Sequence, residues 1–133
     1  MWEDTPAGAT LHEISLELDE GPIVEQIKVS YTDFDTGYTL FTRVREAEKQ
    51  LFLTYIPRLL NEESLPTHPQ RNEGTYHSKS EFVKLKTGHD WSEMSSTRLI
   101  KLIRCLTFPE YTGLEIELGG TRFSLKLESL SAE

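Results

Sequence analysis

The segment GLEIELGGTRFSLKLESL, which begins at Gly113, constrains the fold more than any other part of the chain. Two runs of apolar and polar alternation flank Gly119 and Gly120, and a pair of glycines between such runs is a strong local signal for a β-hairpin. A turn there sets the register, with Ile116 opposite Phe123, Leu114 opposite Leu125 and Glu117 opposite Arg122. One face is apolar and the other charged. Because an isolated hairpin is marginal in water, the apolar face must pack on another element or on a partner.

The element just upstream supplies such a surface. Leu99, Ile100, Ile103 and Leu106 recur at helical spacing, with Ser92, Ser95 or Ser96 as cap and Pro109 as stop. Arg98, Lys101 and Arg104 follow one another at intervals of three on this helix, a basic stripe that is either a solvated face or a phosphate contact. Cys105, the only cysteine, sits in the apolar pattern and reads as a small core residue rather than a nucleophile, since only Arg104 lies near enough in sequence to activate it. With no possible internal disulfide and no basic-then-apolar leader in MWEDTPAGAT, a cytoplasmic setting is expected. No apolar run approaches the roughly 18 residues that span a bilayer, so no membrane partner is expected. The net charge of -8 argues against nucleic acid as the main ligand, because phosphate binding requires a basic surface.

A longer helix is expected earlier, where Leu40, Val44, Ala47, Leu51, Tyr55 and Leu59 recur to about Leu60. Thr32 or Asp35 would cap it, and Pro57 should kink it or end it early. Between the helices, residues 61 to 90 are rich in Pro, Gly, Asn, Ser and His and read as a long surface connection. His68, His77 and His89 lie in it without a zinc-like spacing or an accompanying cysteine, so no metal site is expected. Tyr76, His77 and Lys79 combine an aromatic with two potential cations, which suits a nucleotide base and its diphosphate or simply a solvated loop.

The N-terminal part reads as two strands. In residues 10 to 18, Thr10, His12, Ile14, Leu16 and Leu18 share one parity against Glu13, Ser15 and Glu17, and residues 22 to 30 alternate similarly after Pro22. They are joined through Asp19-Glu20-Gly21. Asp19 has two physical readings. Asp and Gly are turn formers for their own reasons. A carboxylate where a sheet meets solvent is also placed for proton transfer, with partial burial moving its pKa toward a useful range. His12, on the apolar parity, is likewise either a hydrogen-bonded core histidine or a catalytic one. The resulting fold class is α+β: two strands and a long helix, then a connection, a short helix and a hairpin.

The stretch GATLHEISLELDEGPIVEQIKV resembles the end of the catalytic domain of folate-dependent formyltransferases, where a Thr-x-His strand leads into a Leu-Asp-x-Gly-Pro turn. GTYHSKSEF and HDWSEMSSTRLIKLIRCLTFPEYTG resemble the linker and following helix of those members that formylate amino sugars on nucleotides. The resemblance implies that residues 1–60 are the end of an α/β catalytic domain, residues 61–90 a linker and residues 91–133 a C-terminal helix and hairpin. It implies Asp19 and His12 as catalytic residues, Asp19 and Gly21 at the turn that meets N10-formyltetrahydrofolate, and Tyr76, His77 and Lys79 toward a nucleotide-linked amino sugar.

The chain also departs from that pattern. The family's Asn-x-His pair, which with the aspartate forms the catalytic group and stabilises the oxyanion, occurs nowhere in the sequence. The chain is therefore expected to correspond to the C-terminal part of a formyltransferase, associating with a missing N-terminal part or with a second copy. A methionyl-tRNA formyltransferase-like protein is an alternative, although that group carries a larger basic domain after the linker, whereas only 24 residues follow Pro109 here. A further alternative is a non-catalytic binding or dimerisation fragment, since a strand without its parallel neighbours exposes an edge.

Overall fold

The structure is a computed structural model that describes residues 1–16, 19–70, 77–88 and 93–128. Its elements, in order, are β1 (Ala7–His12), β2 (Ile23–Val29), α1 (Gly37–Leu60), α2 (Lys79–Thr87), α3 (Ser96–Leu106), β3 (Leu114–Leu118) and β4 (Thr121–Leu125). The α+β class holds, and the strands form two separate two-stranded antiparallel sheets, β1 with β2 and β3 with β4. The chain divides into two compact units. One comprises Pro6–Tyr31 and Phe41–Thr75, the other Met1–Thr5, Thr32–Leu40 and Tyr76–Glu133.

In the first unit, β1 and β2 pair from Ala7↔Val29 to Leu11↔Glu25, with a register shift between Leu11 and His12. Ala9, Ala47 and Leu51 form the buried centre, and Leu11, Ile27, Val29 and Tyr55 pack around it. Ala47 and Leu51 are one helical turn apart, so they present one face of α1 to the sheet, and the small Ala9 side chain faces them. This corrects the expected strand. The parity that turns inward is that of Ala9 and Leu11, not that of Thr10, His12, Ile14 and Leu16. Thr10 lies on the outer face, where its hydroxyl accepts a 3.0 Å hydrogen bond from Gln26. The strand stops at His12, and Ile14 and Leu16 are 98% and 104% exposed. Two alanines carry so little hydrophobic signal that the larger residues of the opposite parity dominated the pattern. Glu17 and Leu18, expected in that strand, lie outside the described residues.

Helix α1 is capped by neither expected residue. Thr36 and Thr39 exchange hydrogen bonds at its start: the Thr39 amide donates to the Thr36 hydroxyl at 3.2 Å and the Thr36 amide to the Thr39 hydroxyl at 2.9 Å. Asp35 instead secures the preceding turn, accepting from the Thr32 amide at 2.7 Å. The helix also runs past Pro57 to Leu60. So close to the C-terminus the proline removes a single ladder bond, and its carbonyl still accepts from the Asn61 amide at 3.1 Å.

In the second unit, the stretch expected to be only a surface connection contains α2. Its start is a capping box: Ser78 accepts from the Glu81 amide while the Glu81 carboxylate accepts from the Ser78 amide. Ser95 caps α3, as one of the expected alternatives. Leu102, Leu106 and Leu114 form the core, with Trp2, Leu85, Leu99, Ile103, Ile116 and Leu125 packed on them. Leu102 is fully buried, whereas Ile100, assigned to the apolar face from sequence, is 54% exposed. Cys105 is part-buried, and that burial pushes its thiol pKa up, which fits an inert packing residue. The hairpin has the expected register, Ile116↔Phe123, Leu114↔Leu125 and Glu117↔Arg122. Gly119 and Gly120 turn it with φ of 57° and 79°, positive values at both central positions that glycine adopts without steric cost.

One ionic cluster ties this unit together. Lys86 of α2 approaches Glu115 of β3 at 2.6 Å, the Thr112 hydroxyl donates to Glu115 at 2.8 Å, and Arg122 of β4 pairs with its other oxygen. The Lys86 hydrogen bond foremost, then those of Thr112 and Arg122, lowers the Glu115 pKa to about 2. A folded-state pKa below the unfolded value contributes stability that is complete above the ordinary glutamate range and is lost as pH falls toward about 2. Glu115→Gln should therefore unfold with a flatter acid limb than the parent chain over that window. Equal pH slopes for the two proteins in denaturant titrations would exclude this coupling.

Candidate functional site

The turn after β1 brings together the two catalytic candidates. His12 ends the strand at the register shift, and its Nδ1 lies 2.9 Å from the Glu13 carbonyl oxygen. A carbonyl only accepts, so Nδ1 carries the proton, and Nε2 is left facing Asp19, 3.7 Å from Oδ1. That separation is longer than a hydrogen bond, and it is an ion pair only when the ring carries a proton on both nitrogens. The His12 side chain is 26% exposed and that of Asp19 80%. The partial burial expected of Asp19 is therefore absent among the described residues, and its carboxylate opens to solvent with the imidazole behind it.

The backbone of the turn is closely constrained. Asp19 has a φ of 58°, a left-handed conformation that aspartate tolerates better than most residues. Gly21 is buried, and a Cβ there would lie 1.7 Å from the Glu13 carbonyl oxygen, so no other residue fits without moving the strand end. The Glu13 amide closes the turn onto the Pro22 oxygen at 2.9 Å. From far along the chain, Gln70 Nε2 donates to the Asp19 carbonyl at 2.7 Å and to the Gly21 carbonyl at 2.6 Å. Backbone bonds between Ile23 and His68, at 2.7 and 2.8 Å, hold that segment alongside. Gln70 carried no sequence signal, because it lies in an aperiodic stretch with no motif. A wider concavity of about 680 Å³ in the same unit is lined by β2 and α1 residues and includes neither His12 nor Asp19.

The substrate-side candidates belong to the other unit. His77 Nε2 lies 3.3 Å from a Glu3 carboxylate oxygen, beside a 260 Å³ cavity lined by Trp2, Glu81, Phe82 and Leu85 among others. Lys79 is exposed on the first turn of α2 and does not line that cavity. Tyr76 lies outside the described residues. The basic stripe is engaged within this unit. Arg98 sits 5.2 Å over the Trp2 ring, Lys101 holds both oxygens of Asp4 at 2.8 and 2.7 Å, and buried Arg104 reaches the Asp33 carboxylate at 3.1 Å. Partners of this kind answer for the stripe without a bound phosphate.

A 4-N formyltransferase from Francisella tularensis aligns with 97% of this chain and 54% of its own, at a TM-score of 0.85 and 26% identity. The chain is similar in fold and sequence to this formyltransferase. A sugar N-formyltransferase from a Shewanella species has the same fold, with a TM-score of 0.84, 22% identity, and 99% of this chain and 54% of that one covered. A formyltransferase from Anoxybacillus kamchatkensis, solved with UDP-4,6-dideoxy-4-formamido-L-AltNAc and tetrahydrofolate, is 34% identical over 62% of this chain and 43% of its own, with a TM-score of 0.57. The chain spans about half the length of these solved structures. No protein-family profile matches it. Among the described residues, no helix is long and apolar enough to cross a membrane.

Proposed function

We infer that the chain is the C-terminal part of an enzyme, cytoplasmic by expectation, that formylates the amine of a nucleotide-linked amino sugar, and that Asp19 and His12 are its proton-handling groups. The observation that carries this reading is the approach of His12 Nε2 to Asp19 at 3.7 Å, in the turn whose sequence resembles the family's catalytic turn. The likeness to a 4-N formyltransferase at 26% identity supports the same reaction class. Nucleotide-sugar and folate ligands are those of the Anoxybacillus kamchatkensis structure, and they are the substrate classes proposed here.

N10-formyltetrahydrofolate would supply the formyl carbon. As the sugar amine forms its bond to that carbon and the bond to the donor nitrogen breaks, the amine gives up a proton and the donor nitrogen takes one. Asp19 is suited to this exchange because its carboxylate is exposed to incoming ligands and the His12 imidazole lies 3.7 Å from it, where a proton taken up on Nε2 would favour the ionised carboxylate. The Asp19 and Gly21 carbonyls are already taken up by Gln70. In this reading Asp19 meets the donor through its side chain, and Gly21 serves the site by lacking one, since a Cβ there would strike the Glu13 carbonyl. In this reading residues 1–60 are the end of the catalytic domain, residues 61–90 a linker and residues 91–133 the terminal helix and hairpin, with Tyr76, His77 and Lys79 proposed as substrate-side residues.

A second reading, a non-catalytic association module, is favoured by one observation: among the described residues β1 pairs with β2 alone, and the turn beyond it exposes Ile14 and Leu16. The two readings separate in one assay. The chain alone, given N10-formyltetrahydrofolate and a dTDP-linked amino sugar, should yield no formamide above buffer, because it lacks the oxyanion donors of the Asn-x-His pair. Supplied with a formyltransferase segment that carries this pair, it should turn over, and formylation by the chain alone would contradict the assignment.

A further inference from the structure

We propose that Gln70 is a positioning residue that sets the direction of the Asp19 carboxylate by clamping both carbonyls of the turn. The proposal rests on the catalytic reading of Asp19, but its geometry stands independently. Asp19 has a positive φ, so its backbone requires support from outside the turn. Gln70 supplies it with one nitrogen that donates at 2.7 Å to the Asp19 carbonyl and at 2.6 Å to the Gly21 carbonyl. The clamp spans 51 and 49 positions of sequence, so it is a tertiary contact rather than part of a local turn motif. Its backbone is anchored in turn, because the Ile23–His68 pair fixes the chain two residues before Gln70. Without the two donors, nothing else described holds the Asp19 and Gly21 carbonyls, and the carboxylate that follows from that backbone would sample several directions.

Donor chemistry makes the proposal testable against simple space filling. Gln70→Leu keeps the bulk and removes both donors. Gln70→Glu keeps the shape and turns donor into acceptor, setting a carboxylate against two carbonyl oxygens. Gln70→Lys restores hydrogen-bond donors on a flexible stem. Hydrogen exchange on the whole chain reads the clamp at the Glu13 amide, which closes the turn onto Pro22. We expect exchange there to accelerate about tenfold or more in Gln70→Leu, further in Gln70→Glu, and to return near the parent rate in Gln70→Lys, while the β1 and β2 amides stay protected. In the chain supplied with an Asn-x-His segment, kcat should fall in the same order with the KM for the sugar unchanged, because the Gln70 side chain acts on the turn carbonyls and through them on Asp19.

A Gln70→Glu variant that exchanges and turns over like the parent would overturn the proposal, since a space filler tolerates that change. Asp19→Asn, assayed alongside, separates the two claims. If it leaves turnover intact while the Gln70 series follows the expected exchange order, the clamp stands and the catalytic reading falls. If Asp19→Asn abolishes turnover while Gln70→Leu and Gln70→Glu leave exchange and kcat untouched, the catalytic reading stands and the clamp falls.

Discussion

Asp19→Asn, in the chain supplied with its Asn-x-His segment, should reduce formyl transfer by a hundred- to ten-thousandfold, roughly the range over which general acid and base groups contribute. Asparagine is as good a turn former as aspartate and similar in size, so the substitution leaves the turn and its Gln70 contacts in place while removing the group that exchanges protons. Stability should barely change. Glu20→Gln, one position along, removes a charge from the same turn without touching the His12 pair and should keep near-parent activity. The steady-state rate of formamide production checks both. If Asp19→Asn retained more than about a tenth of the activity, the carboxylate would be a turn former and nothing more.

The second large effect concerns stability. Leu102 is fully buried at the centre of a core that also holds Leu106 and Leu114. Leu102→Ala removes buried methyl groups and leaves a cavity, which should cost about 2–5 kcal/mol in equilibrium denaturation. Ile100→Ala, two positions earlier on the same helix but 54% exposed, should stay within about 0.5 kcal/mol of the parent if its surroundings are ordinary surface. The pair discriminates sharply, because periodicity alone assigns Ile100 to the buried face and omits Leu102. A larger loss at Ile100 than at Leu102 would mean that α3 presents a different face to the hairpin.

The elements that were legible in the sequence are those specified by local chemistry. Gly119 and Gly120 specify a hairpin whatever surrounds them, and the register followed from counting outward from the turn. The body of α1 was legible from its repeating apolar positions, and the Asp19 turn from its composition together with a family resemblance. What escaped was set by tertiary context. Ala9 buries because a helix and sheet approach closely there, which no hydrophobicity pattern announces. Ser78 and Glu81 did announce α2 through the spacing of a capping box, but the surrounding Pro, Gly and Asn residues masked it. The His12 and Asp19 pairing depends on where a strand ends, and the Gln70 clamp on contact between segments about fifty positions apart. Neither could be read from the spacing of residues.

The most direct test of the central claim is a structure of the chain assembled with its Asn-x-His segment and a nucleotide-linked amino sugar. The Asp19 carboxylate should lie within hydrogen-bond reach of the sugar amine, about 2.6–3.2 Å or through a single water, with His12 Nε2 behind it. An amine bound elsewhere, with Asp19 still directed into open solvent, would contradict it.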